Sequence, residues 1–146
     1  MTYTCEVTID APVQKVSKAF LDPEGVYQWM EGLESAELLE GEAGKRGAKT
    51  KLTFRNKNRT FSMVETIWEN NLPEAFSTSY VMGAVTNNMT IRFQKIDENR
   101  TRYLSEQEFI FRNFGMKLMG WLAPGLFKKQ TLKYMKAFKA YVESTS

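Results

Sequence analysis

The 146 residues include no histidine. That excludes Ser-His-Asp and Cys-His catalysis and the common zinc and non-haem iron ligand sets. Acid–base chemistry would fall to Asp, Glu, Lys or Tyr. Glu65 is the carboxylate whose spacing makes it a candidate: it keeps a period of two with Phe61, Met63 and Ile67, which on a strand places all four on one face. Turned inward, its carboxyl would have a raised pKa and could serve as an acid or a base. The other phase, Val64, Thr66 and Trp68, is equally apolar. If that set faced inward, Glu65 would stand in solvent. Gln107 shares the phase of Tyr103 and Phe109, and would orient a ligand carbonyl; Asn87 shares that of Met89. Either is alternatively a satisfied polar group of the core. Tyr80, Tyr103 and Tyr134 offer hydroxyls, although tyrosines often turn that end to water. Cys5 keeps phase with Val7 and Ile9 and reads as a buried, inert thiol. None of this calls for a cofactor or a metal.

The elements that would position these groups can be read in order. Thr2 to Ile9 alternates as a half-buried strand. Asp10-Ala11-Pro12 ends it, with Pro12 suited to a first helical position and Asp10 or Ala11 to a cap. Val13, Val16, Ala19 and Phe20 make one short helix. Asp22-Pro23-Glu24 opens a second, with Asp22 as its cap, Val26, Trp29 and Met30 inside, and Gly32 as its stop. From Glu34 the period becomes two. Strands are expected around Ala36–Leu39, Ala48–Arg55, Thr60–Glu69, Phe76–Met82, Met89–Phe93 and Tyr103–Phe111, separated by short polar turns. Gly41, Gly44 and Gly47 lie in a flexible loop that lacks the Gly-Lys-Ser/Thr ending of a phosphate loop. Consecutive strands with short turns form an antiparallel meander.

The C-terminal stretch from Phe114 to Val142 is helical. Taking Phe127 as zero, Thr131, Tyr134, Met135, Phe138, Tyr141 and Val142 share one face, while Lys128, Lys129, Lys133, Lys136 and Lys139 take the sides and back. An upstream apolar run, Met116 to Leu122, is set off by Pro124-Gly125, with Trp121 placed to form part of a lid. So wide an aromatic and methionine face must lie against something large and apolar, and the meander supplies it. The fold class is therefore α+β, and the chain reads as a single domain over 1–146, long enough to bury about 68–70% of its unfolded surface. The apolar set expected to line the space between sheet and helix is Phe54, Tyr80, Met82, Met89, Ile91, Phe93, Tyr103 and Phe109, joined from the helical side by Met116, Met119, Tyr134, Met135 and Phe138. A slip of one residue would reverse any strand's contribution. Eight methionines give a deformable lining.

The totals fit this reading. No run of ~18 apolar residues exists to span a membrane. The beginning Met-Thr-Tyr-Thr-Cys-Glu has no signal-peptide pattern, and the single cysteine fits a reducing compartment, so a cytoplasmic location is expected. The net charge of +3 is modest. The lysines of the last helix read as a solvated face, and without arginine clusters nucleic acid is not an expected partner. The oligomeric state is left open.

Particular segments carry a family likeness: Val7-Thr8-Ile9-Asp10-Ala11-Pro12, Val16, Asp22-Pro23-Glu24, Trp29, Glu65 to Glu69 before Pro73, Thr101-Arg102-Tyr103, and Leu132 to Glu143. Over essentially its whole length the chain resembles the START-like (SRPBCC) superfamily, whose fold is called the helix grip. Its tail from Phe114 to Glu143 looks most like the polyketide cyclase/dehydrase and lipid-transport branch. Leu72-Pro73 stands where many relatives carry two prolines. The resemblance implies a curved antiparallel sheet of about seven strands around a long C-terminal helix, with two short helices after strand 1. It also implies a cavity between sheet and helix for an apolar small molecule such as a lipid, isoprenoid or polyketide. Superfamily members include carriers, sensors, cyclases and chaperone activators, and fold alone does not choose among them. No catalytic motif of the branch transfers residue by residue. The expected site is Phe54, Tyr80, Met82, Met89, Phe93, Tyr103, Gln107, Met119, Tyr134, Met135 and Phe138 for ligand binding, with Glu65 as the candidate acid or base of a cyclase- or dehydratase-type alternative.

Overall fold

Alternation of apolar and polar residues gives seven strands, and the 3.6-residue period gives two longer and two short helices. The computed structural model describes residues 1–145, so that Ser146, the last residue of the expected domain, lies outside the described residues. In chain order the elements are β1 (Thr2–Ile9), α1 (Val13–Phe20), α2 (Val26–Trp29), β2 (Leu33–Glu40), β3 (Lys49–Asn56), β4 (Arg59–Asn71), β5 (Ala75–Met82), β6 (Val85–Asp97), β7 (Arg100–Phe111), α3 (Phe114–Leu122) and α4 (Pro124–Ser144). All strands join one antiparallel sheet in the order β1-β7-β6-β5-β4-β3-β2. Thus β2 to β7 form the expected meander and β1 adds to its far edge. This is the helix-grip architecture: a curved sheet closed against a long C-terminal helix.

Two turn details differ from expectation. Pro12 stands at the N-cap of α1 rather than inside it: its φ of −61° suits a helix but its ψ of 147° is extended, and no side chain caps that end. Asp10 is therefore not a cap. Its backbone N–H instead donates to Glu143 Oε2 at 2.7 Å, tying the end of β1 to the last turn of α4. Asp22 does not cap α2 either: the N-cap is Gly25, without a side-chain cap, and Asp22 Oδ1 accepts from the Glu24 N–H at 3.2 Å in the turn before it.

The core gathers under the C-terminal half of α4. Met135, Phe138 and Val142 are 0–1% exposed, with Ile9, Val16, Ile91 and Phe93 packed equally tightly. Phe138 is the hub. Its ring lies 4.9 Å from Trp29, 5.4 Å from Phe20, 5.7 Å from Tyr103 and 6.1 Å from Phe93. Three of the four contacts are edge-to-face, the arrangement favoured by the ring quadrupoles. A smaller cluster, Leu33, Leu52 and Phe54, lies under β2 and β3 against Val26 and Met30.

Phe138→Ala should remove about 3–5 kcal/mol of stability in reversible urea unfolding. A loss under about 1 kcal/mol would mean that α4 is not held by this ring.

Candidate functional site

Strand pairing sorts the inward-facing residues into rows across the sheet. One row runs over β2 to β7 as Leu38, Thr50, Glu65, Tyr80, Asn87 and Phe109. Side chains directly opposite one another on neighbouring antiparallel strands have Cβ atoms about 4.5–5.5 Å apart. Thr50, Glu65, Tyr80 and Asn87 therefore form an unbroken polar stripe on the concave face. The row towards α1 is Ile67, Thr78, Met89, Gln107 and Tyr3. On the opposite side of the stripe lie Leu52 paired with Met63, and Met82 in register with Val85 and Phe111.

The phase of β4 is thus settled: Phe61, Met63, Glu65 and Ile67 face inward. A bulge between Ile67 and Glu69 interrupts the pairing with β5. Trp68 points outward there, 56% exposed, with its indole N–H on Ser79 Oγ at 3.0 Å.

The long helix covers only part of the concave face. It packs on β1, α1, α2 and α3. Its first turns stand over the β1–β7 side, where Phe127 meets Phe109 at 5.0 Å and Phe111 at 5.6 Å. The Tyr3 hydroxyl bonds Thr131 Oγ1 at 2.7 Å and donates to the Phe127 carbonyl at 3.1 Å. The inner face of β3 to β5 receives less cover. Thr50, Met63, Glu65 and Tyr80 are half-buried, Phe61 is 36% exposed, and Met82 is 41% exposed. The inner face of β3 to β5 thus keeps partly accessible surface, apolar at Phe61, Met63 and Met82 and crossed by the polar row.

The site residues expected from sequence divide accordingly. Phe93, Tyr103, Met135 and Phe138 lie in the packed core at 0–4% exposure. A residue beside a hollow large enough for water would retain more accessible surface, so these four do not line an open space. Phe54 is also buried and stacks on Phe61 at 5.3 Å. Tyr80, Met82, Met89 and Tyr134 keep partial exposure. Met119 is half exposed on α3, outside the packed core. Gln107 faces inward but is internally satisfied: its Oε1 accepts from Asn87 Nδ2 at 2.8 Å and its Nε2 donates to Ser105 Oγ at 2.7 Å. Cys5 is buried, and burial raises its thiol pKa.

Sequence reading passed over Thr50, Tyr3 and the Thr78 hydroxyl. Thr50 and Tyr3 carried a detectable signal, the inward phase of their strands. Thr78 shares that inward phase, and its buried hydroxyl acts on the neighbouring Tyr80 phenol.

The electrostatics single out one pair. Burial raises the pKa of Glu65, and a hydrogen bond from the Tyr80 phenol pulls it part of the way back. Tyr80 is pushed well above the ordinary phenol range, first by burial and then by the Glu65 charge. Tyr80 therefore remains a proton donor while Glu65 is poised to exchange a proton. Such a pair can anchor a polar ligand atom or move a proton at it. A separate shallow groove of about 510 Å³ lies chiefly along the outer face of the sheet, beside Thr2, Thr4, Trp68, Asn88 and Glu106. It is open, is also lined by Tyr3, Thr78, Met89 and Gln107, and contains neither Glu65 nor Tyr80; the inner face around that pair is taken as the candidate site.

Residues 1–143 match the family described as polyketide cyclase/dehydrase and lipid transport. The chain belongs to that family. No curated protein sequence matches it significantly. Among solved structures, Ara h 8.0201 is similar with a TM-score of 0.78 at 18% identity, covering 99% of each chain. The Zhui aromatase/cyclase from Streptomyces sp. R1128 gives 0.77 at 15% identity, covering 98% of this chain and 93% of its own. Norcoclaurine synthase from Thalictrum flavum, in complex with dopamine and hydroxybenzaldehyde, gives 0.73 at 14% identity, covering 100% and 88%. At these identities the likeness establishes the fold that the family shares. That shared helix grip is the setting in which function has to be sought.

The Glu65 placement has a consequence for stability. Because folding raises this pKa above its ordinary value of 4.5, the stability it contributes is complete below that value. It is lost as pH rises through the folded-state value. Glu65→Gln should therefore melt higher than the parent at pH 7.5, and the gain should vanish as pH falls to 4.5. An unchanged or lower melting temperature at pH 7.5 would place the carboxylate in solvent.

Proposed function

We propose that this family member binds an apolar or amphipathic small molecule, of lipid, isoprenoid or polyketide character, in a cleft between α4 and the inner face of β2 to β5. One observation carries the reading. The concave face is tightly packed beneath Phe138 but retains solvent-accessible apolar surface at Phe61, Met63 and Met82. Covering such surface with ligand is favourable by roughly 25 cal/mol per Å² before ordering costs. Methionines suit a ligand of irregular outline. Glu65 and Tyr80 fix the polar end of the guest, and the family description supports an apolar ligand class.

The test is native mass spectrometry of the purified chain, followed by titration with fluorescent fatty acids and polycyclic phenols. Binding should be seen, and Met63→Asp with Met82→Asp should weaken it by roughly tenfold or more. Trp68→Ala on the outer face should leave it unchanged. If no probe of either class binds, or if both changes weaken binding equally, the cleft is not the site.

A second reading is favoured by the convergence of Glu65 and Tyr80. A carboxyl of raised pKa against a phenol that stays protonated is a minimal acid–base pair without metal or histidine, fit for a cyclase- or dehydratase-type step on a chain held by shape. Turnover of a poly-β-keto substrate that falls about 10²–10⁴-fold in Glu65→Gln, with substrate affinity retained, would select this reading. Turnover indifferent to Glu65 would remove it.

A further inference from the structure

From the outward face of α3 we infer a docking surface for an anionic lipid bilayer, separate from the cleft and valid whether or not the cleft is filled. Asn113 caps α3, its Oδ1 accepting from Gly115 N at 2.8 Å and Met116 N at 3.3 Å. The helix then turns its small side inward. Gly120 is buried, and a Cβ there would stand 2.7 Å from Cε2 of Phe111. At about 100° per residue, Phe114, Leu118, Trp121 and Leu122 share the other side. They are 79%, 41%, 78% and 66% exposed, and Leu126 at the start of α4 is 63% exposed. In an amphipathic surface helix the apolar stripe normally faces the core. Here it faces away from the protein.

Charge decides the occupant. Seven of the 20 basic residues and none of the 17 acidic ones fall between Phe109 and Val142. That segment carries +7 while the rest of the chain carries −4. Lys133 is paired with Glu31 at 2.8 Å, and Lys139 with Glu143. Lys128 and Lys129 are exposed, and Lys117 lies one turn from Trp121. A helix presenting Trp, Phe and Leu around Lys117, carrying no carboxylate and followed in α4 by the exposed Lys128 and Lys129, has the chemistry of an interfacial anchor. The rings would sit at headgroup level, and each lysine would gain from the negative surface potential. No described helix is long and apolar enough to cross a membrane, so the contact is peripheral. The patch adjoins the cleft: α3 follows closely on Phe111, which is in register with Val85 and, through it, Met82 at the rim.

The experiment is co-sedimentation of the full chain with vesicles of phosphatidylcholine alone or mixed with phosphatidylglycerol, with sizing in parallel. The chain should pellet with the mixed vesicles, not with the neutral ones, and release as salt rises. Trp121→Glu with Leu122→Glu should lower vesicle affinity by at least about tenfold at unchanged melting temperature, because both side chains are exposed. Phe114→Ser is the milder variant should that pair impair folding, and a several-fold loss is expected of it. Lys128→Glu with Lys129→Glu should weaken anionic binding several-fold. No pelleting with mixed vesicles, or pelleting that the α3 variants leave untouched, overturns the inference. So does a dimer that Trp121→Glu with Leu122→Glu splits, since a second copy would then cover the face.

Discussion

The fold depends on how Phe138 is held. One aromatic ring on the final helix is clamped between Trp29 and Phe20 from the short helices and Phe93 and Tyr103 from the sheet. Elements from both ends of the sequence therefore meet at one point, and the Asp10–Glu143 hydrogen bond closes the same region. Packing at crystal-like density leaves no space for a guest there. A helix anchored at its C-terminal half has its direction set, but its N-terminal half is steered only by lighter contacts: Phe127 on Phe109 and Phe111, and Tyr3 on Thr131. Because these draw α4 towards β1 and β7, the inner face of β3 to β5 is left partly uncovered. That partly uncovered strip is a geometric consequence of where the helix is clamped.

That geometry gives the polar stripe its character. Thr50, Glu65, Tyr80 and Asn87 are consecutive only because β3 to β6 pair without slippage at that row. A shift of one residue in any strand would replace its member with an outward-facing neighbour. The register is secured by the fully packed rows nearer α1, where Phe76 opposes Ile91 and Phe93 opposes Tyr103. Tight packing at one end of the sheet thus fixes alignment at the loose end. The half-burial of Glu65 and Tyr80 then makes their interaction stronger than it would be in water, since dielectric screening is reduced.

Much of this was legible in residue spacing. The period of two located six strands after the short helices, and the 3.6 period put Met135, Phe138 and Val142 on the inner face of α4. The family likeness drew on the same segments. Spacing could not tell which inward residues are covered by α4 and which are not, because that depends on helix placement rather than on phase. Phe93 and Met82 look alike in sequence; one is 3% exposed and the other 41%. Glu65 was ambiguous for a different reason. Both faces of β4 are apolar, and only its pairing with β3 and β5 shows which set turns inward. Asp10 was misread because an acidic residue before Pro12 resembles a cap, whereas the extended ψ at Pro12 moves the helix start beyond its reach.

Several features that oppose stability lie close together. Glu65 with its raised pKa, Tyr80 beside it, and the buried Thr78 hydroxyl lie on two adjoining rows. The exposed Met82 and the outward apolar face of α3 lie next to them. The short helices that pack on Phe138 carry orphan polar atoms, the Ser17 hydroxyl and the Trp29 indole N–H. Sequences that fold well tend to violate the rules of packing and polar pairing only where another requirement overrides them. A solid core could have been completed by a leucine at position 65 and a larger apolar residue at position 50, and α3 could have been rotated by about half a turn to bury Trp121. Gly120 against Phe111 holds the helix in the opposite orientation. The partly open inner face and the α3 face are thus specified by particular side chains, and it is there that ligand and surface chemistry should be sought.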